Sequence, residues 1–295
     1  MPDISFWNKC NSKCVMCTNM ASFSSQDSSQ YGLKRQIRKM ESYLKGESVY
    51  FKNADKSDFL SLTGGEPTLH PDFFQLLAYF RRRLAGTPIR LLTNGRTLAD
   101  TGFTAKLLKT AGPPFCFIIP LHGSGPSLHD KVAGVKGCFM QTMKGLENLF
   151  SMAGGRDIEI RVVLHKLNAV ALPDILKLLL KKFPRTSRYR VVVIHYEIEG
   201  ESERNHPLLA LRFKNSVRAV RACVRLLPKF AHLELYHFPL CVLPPSLRAL
   251  ARVTLPRADR IYPPSKCGRC ALKAKCLGLM RAYHKKFGAS ELKTI

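Results

Sequence analysis

Segments typical of buried strands alternate along this chain with segments typical of helices. The predicted strands are Asp3–Trp7, Asp58–Thr63, Pro88–Thr93, Phe115–Leu121, Asp157–Leu164 and Tyr189–His195. The predicted helices are Tyr31–Lys45, Pro71–Leu84, Leu98–Lys109, Cys138–Met152, Leu172–Phe183 and Leu208–Leu227. Because parallel strands need long crossovers, usually helices, this alternation predicts an α/β fold with a parallel sheet. Six repeats, against the eight of a complete barrel, predict a partial (β/α)6 TIM-like barrel.

The alternation stops near Ala231, and a basic, proline-rich tail follows. Pro244-Pro245 and Pro263-Pro264 interrupt this tail, which also carries a group of three cysteines. Such a change of composition is typical of a domain boundary. We therefore predict a core domain at residues 1–230 and a small C-terminal domain at residues 231–295.

The ten cysteines are unevenly placed, with three in residues 10–17 and three in residues 267–276. No apolar run reaches the roughly 18 residues of a membrane helix, and the first residues lack the pattern of a signal peptide. We therefore expect a cytoplasmic protein that does not associate with membranes. Disulfides are rare in that compartment, so grouped cysteines predict metal binding or redox chemistry.

The formal net charge of +26 favours anionic partners such as RNA, an acidic peptide or phosphates. Basic residues are concentrated at Lys177–Arg190 and on one face of Lys214–Arg225. Few aromatic residues are interleaved with them, whereas single-stranded nucleic acids are usually bound by stacking on aromatic rings. Nucleic acid is therefore a compatible partner that the sequence does not favour.

Cys10, Cys14 and Cys17 follow the first predicted strand in a C-x3-C-x2-C pattern. Three thiolates on one short loop can hold three irons of a cubane 4Fe–4S cluster and leave the fourth iron open to a chelating ligand. The alternative is zinc, which usually takes four cysteine or histidine ligands. The first histidine of the chain is His70, so no histidine lies close in sequence to complete a zinc site.

Gly64-Gly65-Glu66-Pro67 follows the second predicted strand. In a parallel barrel, loops after successive strands lie on the same face, so this loop is expected beside the cysteine loop. Two glycines allow a ligand to approach the backbone closely, and the Glu66 carboxylate can bind an ammonium group.

The C-x3-C-x2-C loop followed by GGEP resembles the radical S-adenosylmethionine (SAM) superfamily, and the resemblance runs from about Ser5 to Asn168. It implies a catalytic 4Fe–4S cluster on Cys10, Cys14 and Cys17, with SAM chelated to the open iron. It further implies reductive cleavage of SAM to methionine and a 5′-deoxyadenosyl radical, which abstracts a hydrogen atom from the substrate.

The resemblance also implies a set of residues that contact SAM. These are Met16 near the adenine, Gly64, Gly65 and Glu66 at the methionine amino group, Thr93 and Asn94 in a TNG segment, His122 after the fourth strand, and Arg161 on the fifth. Pro120 stands where many members carry a serine, so this chain lacks that hydroxyl.

Cys267, Cys270 and Cys276 form a C-x2-C-x5-C pattern that resembles part of the SPASM and twitch extensions of this superfamily. A full SPASM motif has a further cysteine where this chain has Met280. The resemblance therefore implies one auxiliary 4Fe–4S cluster, with Cys241 as its fourth ligand. Zinc stays an alternative at this second site.

The sequence thus predicts a radical SAM enzyme that modifies a peptide or protein side chain. We expect an electron donor such as flavodoxin or ferredoxin as its partner. One alternative is a radical SAM enzyme that modifies RNA, a nucleoside or a cofactor. Another is a non-enzymatic zinc protein that binds nucleic acid, although such a protein does not explain Glu66 in its position after a strand.

Overall fold

A computed structural model describes residues 3–47, 59–153 and 157–295 of the chain. Its main sheet consists of β1 (Asp3–Trp7), β2 (Leu60–Gly64), β3 (Ile89–Leu92), β4 (Phe115–Pro120), β5 (Asp157–Leu164), β6 (Arg190–His195), β7 (Leu233–Tyr236) and β8 (Ala251–Arg252). The strands are ordered β1 to β8 as in the sequence, and the pairings described for β1 to β4 and for β6 to β8 are parallel. This arrangement confirms the predicted α/β fold of the partial-barrel type.

Helices connect the strands, as the crossovers of a parallel sheet require. The helices are α1 (Ala21–Ser25), α2 (Leu33–Leu44), α3 (Phe73–Arg83), α4 (Thr101–Ala111), α5 (Pro126–Ala133), α6 (Cys138–Met152), α7 (Leu172–Lys182), α8 (Gly200–Arg204), α9 (His206–Leu209), α10 (Phe213–Ala222), α11 (Pro264–Cys267) and α12 (Arg281–Phe287). A separate two-stranded antiparallel ribbon joins β9 (Arg260–Ile261) to β10 (Leu279–Met280).

The sheet continues beyond the six predicted strands. Both β7 and β8 lie in residues 231–295, the part of the chain predicted to be a separate tail domain. They are short, with four and two residues, which is why no strand pattern marks them in the sequence. The boundary at residue 230 stays a prediction. Asp58, the predicted first residue of the second strand, lies outside the described residues.

One predicted helix is much shorter than expected. The sequence predicts a helix over Leu208–Leu227, whereas α10 covers only Phe213–Ala222. Leu209 ends the preceding short helix α9, and Ala210, Leu211 and Arg212 between the two helices are not helical. This break divides the predicted helix, and residues 223–226 after α10 form a turn.

The described residues group into two compact units. The first unit comprises Met1–Lys13, Asn19–Pro120 and Gly134–Glu159, and the second comprises Cys14–Thr18, Leu121–Ala133 and Ile160–Ile295. The core of the first unit contains an aromatic group in which the Phe6 ring lies 5.8 Å from the rings of Phe73 and Phe80. In the second unit the rings of Phe213 and Tyr283 stack at 4.1 Å, so α10 packs on α12.

Among the described residues, every helix is too short or too polar to cross a membrane bilayer.

Candidate active site

The loops after β1 and β2 are joined by their backbones. The Gly65 amide donates to the Trp7 carbonyl at 2.7 Å, and the Glu66 amide donates to the Lys9 carbonyl at 2.8 Å. A Cβ atom on Gly65 would lie 2.3 Å from the Lys9 oxygen, and one on Gly64, where φ is +115°, would lie 2.4 Å from the Trp7 oxygen. The two glycines are therefore required by the close approach of the cysteine loop itself.

The Glu66 carboxylate is buried and holds the ends of β2 and β3 together. Its Oε1 accepts hydrogen bonds from Thr68 N at 3.2 Å, Thr68 Oγ1 at 2.6 Å and Thr93 Oγ1 at 2.7 Å. Its Oε2 accepts one from the Asn94 amide at 2.7 Å. Burial raises the pKa of Glu66, while these donors act in the opposite direction. Because Oε2 is less heavily used than Oε1, it retains capacity for a further donor.

Asn94 connects this carboxylate to the first cysteine. Its side-chain Nδ2 donates to Asn11 Oδ1 at 2.6 Å and lies 3.4 Å from Ser12 Oγ and 3.9 Å from Cys10 Sγ. The Ser12 amide also donates to Cys10 Sγ, at 3.4 Å. Two N–H groups therefore face this sulfur, as suits a thiolate that binds iron.

Arg96, which the sequence patterns do not identify, lies against the same loop. Its Nη1 donates to the Asn11 carbonyl and lies 3.4 Å from Ser12 Oγ. Its Nε donates to Gln141 Oε1 on α6 at 2.6 Å. In a chain this basic, an arginine directly after a TNG segment carries no pattern that would single it out.

The other two cysteines of the motif lie in the second unit, in a turn where the Cys17 amide donates to the Cys14 carbonyl at 3.2 Å. Three hydrogen bonds hold the backbone of this turn: Val15 N to Val132 O at 2.9 Å, Ser202 N to Cys17 O at 2.9 Å, and Asn205 Nδ2 to Val15 O at 3.0 Å. Met16, within this turn, is half-buried. The backbone of this turn is thus bonded to α5 through Val132 and to the α8–α9 segment through Ser202 and Asn205.

His122 follows β4 and Arg161 lies on β5, and the Leu121 amide donates to the Arg161 carbonyl at 2.8 Å within the second unit. His122 is buried, and its Nδ1 has no hydrogen-bond partner within the described residues. Burial lowers the pKa of His122 well below its ordinary value, so its ring is neutral at pH 7. The Asn168 side chain joins β5 to the segment after β4, because its Nδ2 donates to the Val163 carbonyl at 2.9 Å and lies 3.4 Å from the His122 carbonyl.

The four tail cysteines, Cys241, Cys267, Cys270 and Cys276, line a single pocket of the second unit. The Cys276 sulfur accepts hydrogen bonds from the Leu240 and Gly278 amides, both at 3.3 Å. Burial raises the pKa values of Cys241 and Cys267, and the neighbouring thiols add to the shift. The structure therefore brings Cys241 to the C-x2-C-x5-C group across more than 20 residues of chain.

Residues 4–179, more than half of the chain, match the family model of the radical SAM superfamily. The chain belongs to the radical SAM superfamily. It is 32% identical over 193 residues to Fe-coproporphyrin III synthase of Methanosarcina barkeri, a match covering 63% of this chain and 43% of that protein. It is 30% identical over 165 residues to the mycofactocin maturase MftC of Mycobacterium ulcerans, covering 56% of this chain and 40% of that protein. The matches thus span less than half the length of these relatives.

Two solved structures with bound S-adenosylmethionine share the fold. Streptococcus suis SuiB bound to S-adenosylmethionine aligns with a TM-score of 0.58 and 15% identity over 88% of this chain and 54% of SuiB. anSMEcpe with bound AdoMet aligns with a TM-score of 0.55 and 17% identity over 79% of this chain and 63% of anSMEcpe. At such low identity the likeness concerns the architecture of the chain.

The donors around Cys10 and Glu66 fit the cofactors that the radical SAM family implies. A thiol that faces two N–H groups is suited to hold iron as a thiolate. A buried carboxylate with one lightly used oxygen is suited to an ammonium group. The side chains of Thr93 and Asn94, expected as SAM contacts, donate hydrogen bonds to Glu66 and to the cysteine loop, respectively. A direct contact of either side chain with SAM stays a prediction.

Proposed function

We propose that this chain cleaves SAM reductively and uses the resulting radical to abstract a hydrogen atom from its substrate. The main support for this proposal is that one residue, Asn94, contacts both Cys10 and Glu66. Asn94 Nδ2 lies 3.9 Å from Cys10 Sγ, and the Asn94 amide donates to Glu66 at 2.7 Å. An iron ligand and a carboxylate for the amino group of SAM thereby contact the same residue, one through its side chain and the other through its backbone amide.

A reduced 4Fe–4S cluster would supply the electron that breaks a carbon–sulfur bond of SAM, giving methionine and the 5′-deoxyadenosyl radical. Cys10, Cys14 and Cys17 would hold three irons as thiolates, and the absence of a fourth cysteine in the motif leaves the last position to SAM. Ser12 and Asn94 would stabilise the Cys10 thiolate through their N–H groups.

The predicted SAM contacts divide into two groups by what their side chains do. Glu66 would accept the methionine ammonium at Oε2, with Thr93 and Asn94 holding the carboxylate in place and Gly64 and Gly65 keeping its loop close to the cysteines. Three side chains would contact SAM directly outside this network: Met16, His122 and Arg161. The neutral His122 ring has one N–H donor and one acceptor nitrogen, so it would hydrogen-bond to the cofactor without adding a charge.

We further propose that Cys241, Cys267, Cys270 and Cys276 hold one auxiliary 4Fe–4S cluster within a domain at residues 231–295. These four thiols line one pocket of the second unit, and four thiolates are the ligand set of a 4Fe–4S cluster. Zinc takes the same ligand set, so metal analysis of the purified protein decides between the two.

We propose a peptide or protein side chain as the substrate, with a small acidic protein such as flavodoxin or ferredoxin as the electron donor. SuiB, which shares the fold at a TM-score of 0.56, has been crystallised with a precursor peptide. A second candidate is a tetrapyrrole, because the match to Fe-coproporphyrin III synthase is 32% identical and that to an AdoMet-dependent heme synthase of Oleidesulfovibrio alaskensis is 31% identical over 116 residues.

The test of the proposed chemistry is formation of 5′-deoxyadenosine by anaerobically purified protein given SAM and dithionite. The wild type should contain iron and form 5′-deoxyadenosine. Cys14→Ala should not form 5′-deoxyadenosine, because one iron of the cluster loses its thiolate ligand. Cys116→Ser, a change on β4 outside both cysteine groups, is the matched control and should retain activity. Full activity in Cys14→Ala, or zinc in place of iron in the wild type, would contradict the proposal.

The same assay separates the two substrate classes. A peptide substrate should raise the rate of 5′-deoxyadenosine formation and appear in mass spectrometry with a changed mass, whereas Fe-coproporphyrin III should do neither. Acceleration by the porphyrin alone would replace the peptide with the second candidate.

A further inference from the structure

Arg96 bridges two elements of the first unit that lie on either side of its side chain. Its Nη1 donates to the Asn11 carbonyl and lies 3.4 Å from Ser12 Oγ, both in the loop that begins with Cys10. Its Nε donates to Gln141 Oε1 on α6 at 2.6 Å. The Arg96 amide donates to Asn94 Oδ1 at 3.0 Å, so the backbone of the arginine is fixed as well.

The positive charge of Arg96 is not neutralised by a carboxylate. None of the ion pairs between described residues includes Arg96, and its hydrogen-bond acceptors are a carbonyl, a hydroxyl and an amide oxygen. The positive charge of Arg96 therefore stabilises negative charge that develops in the adjoining loop. The residues of that loop are Cys10, Asn11 and Ser12.

The same contacts control the hydrogen bonds that reach the Cys10 sulfur. Arg96 fixes the Asn11 carbonyl and the Ser12 hydroxyl, and the Ser12 amide donates to Cys10 Sγ at 3.4 Å. Asn94, the second N–H donor near this sulfur, reaches it across the same turn. A shift of the turn would therefore lengthen both N–H···S contacts.

We propose that Arg96 is a positioning residue that fixes the Cys10 end of the cysteine loop and raises the reduction potential of the cluster held there. The proposal rests on the proposed function, since it needs a cluster on Cys10. Reduction adds negative charge to the cluster and its thiolates. A nearby cation and N–H···S hydrogen bonds stabilise that charge, so they favour the reduced state.

Arginine suits this role better than lysine. The guanidinium is planar and donates in several fixed directions, so a single side chain can bond to α6 through Nε and to the loop through Nη1. The lysine ammonium is a compact charge on a flexible chain. Lysine at position 96 would keep the charge and lose the bridge.

The test is a potentiometric titration of the anaerobic holoprotein, followed by electron paramagnetic resonance, together with SAM affinity and iron content. Arg96→Gln should make reduction of the SAM-binding cluster roughly tenfold less favourable, which is about 59 mV for a one-electron couple. Arg96→Lys should lie between Arg96→Gln and the wild type. Gln141→Ala keeps the charge but frees the guanidinium, and should give a smaller shift in the same direction.

Arg38→Gln is the control for loss of one positive charge, because Arg38 is an exposed residue of α2. A potential in Arg96→Gln equal to that of Arg38→Gln would overturn the proposal. Weaker SAM binding by Arg96→Gln with an unchanged reduction potential would also overturn the proposal, because Arg96 would then be a SAM contact. If Arg96→Gln fails to retain iron, Arg96→Lys and Gln141→Ala decide, and wild-type potentials in both overturn the proposal. Wild-type protein without a cluster would instead refute the proposed function.

Discussion

His165 follows β5, and its imidazole ring is completely buried. Neither ring nitrogen has a hydrogen-bond partner within the described residues, although its backbone amide donates to Asn168 Oδ1 at 3.0 Å. Burial lowers the pKa of His165 to about 4, so the ring is neutral at pH 7. The folded state therefore excludes the imidazolium form, and this exclusion couples the stability of the second unit to pH.

The pKa of His165 predicts a loss of stability in mild acid. Because the folded pKa of about 4 lies below the ordinary 6.5, the contribution of the neutral ring is present above pH 6.5 and is lost as the pH falls towards 4. Between pH 7.5 and 5.5 this should cost the wild type about 1.4 kcal/mol relative to His165→Leu, which has no proton to bind. Urea unfolding of both proteins at the two pH values measures the difference. An equal loss in both would assign the effect to other groups, such as the neighbouring His122.

Glu66 shows how far the sequence can define a site residue. The GGEP segment and its place after the second strand predict a carboxylate beside the cysteine loop, and the backbone bonds of Gly65 and Glu66 join those two loops. Its hydrogen bonds to Thr93 and Asn94 come from a turn more than 25 residues away. That part of the environment depends on how β2 and β3 align, which spacing in the sequence does not specify.

Among the secondary-structure elements, those with a strong repeating pattern are the ones the sequence predicts well. β5 and α6 have the predicted bounds, because Ile158, Ile160 and Val162 alternate with charged residues in β5 and α6 has an apolar stripe. The short helices α1 and α5 are missing from the prediction, since one or two turns give too little periodicity to detect. The strands β7 and β8 are missing for the same reason. Pairing with neighbouring strands, rather than their own sequence, makes them part of the sheet.

The tail pocket is built from short elements around Gly278, the residue before β10. Its φ is +82°, and a Cβ atom there would lie 2.7 Å from the Ile261 carbonyl of β9. Glycine therefore lets the chain turn so that the Gly278 amide reaches Cys276 Sγ at 3.3 Å. Tyr262 supports the same turn by donating to the Cys276 carbonyl at 2.8 Å.

Loss of the Cys276 thiol should remove the proposed auxiliary cluster and spare the first one. We expect Cys276→Ser to contain about half the iron of the wild type and to retain the spectroscopic response of the first cluster to SAM, because hydroxyl is a poor iron ligand in place of thiolate. Iron analysis and electron paramagnetic resonance measure both quantities. Cys116→Ser should match the wild type. Unchanged iron in Cys276→Ser would show that the tail pocket does not hold a cluster.

At the scale of the whole molecule, the main physical property is the excess of 47 basic over 21 acidic residues. Part of this excess lies on exposed helix faces, such as Lys214, Arg218 and Arg221 of α10. The residues Phe213–His232 include no acidic side chain. A charge of this size attracts anionic proteins over distances set by the ionic strength.

The charge of the molecule predicts that delivery of electrons by an acidic protein depends strongly on salt. Long-range attraction raises the rate of encounter by roughly 10- to 1,000-fold at low ionic strength, and added salt screens it. Between 50 and 300 mM NaCl the Debye length falls from about 14 to about 6 Å. The rate of cluster reduction by flavodoxin should therefore fall at least about tenfold over this range. Anaerobic stopped-flow absorbance measures this rate, and reduction by a small uncharged photoreductant is the control that should change little. If the rate of reduction by flavodoxin does not change with salt, long-range electrostatic attraction does not contribute to the encounter with this partner. If both reductants slow equally, salt acts on the cluster itself.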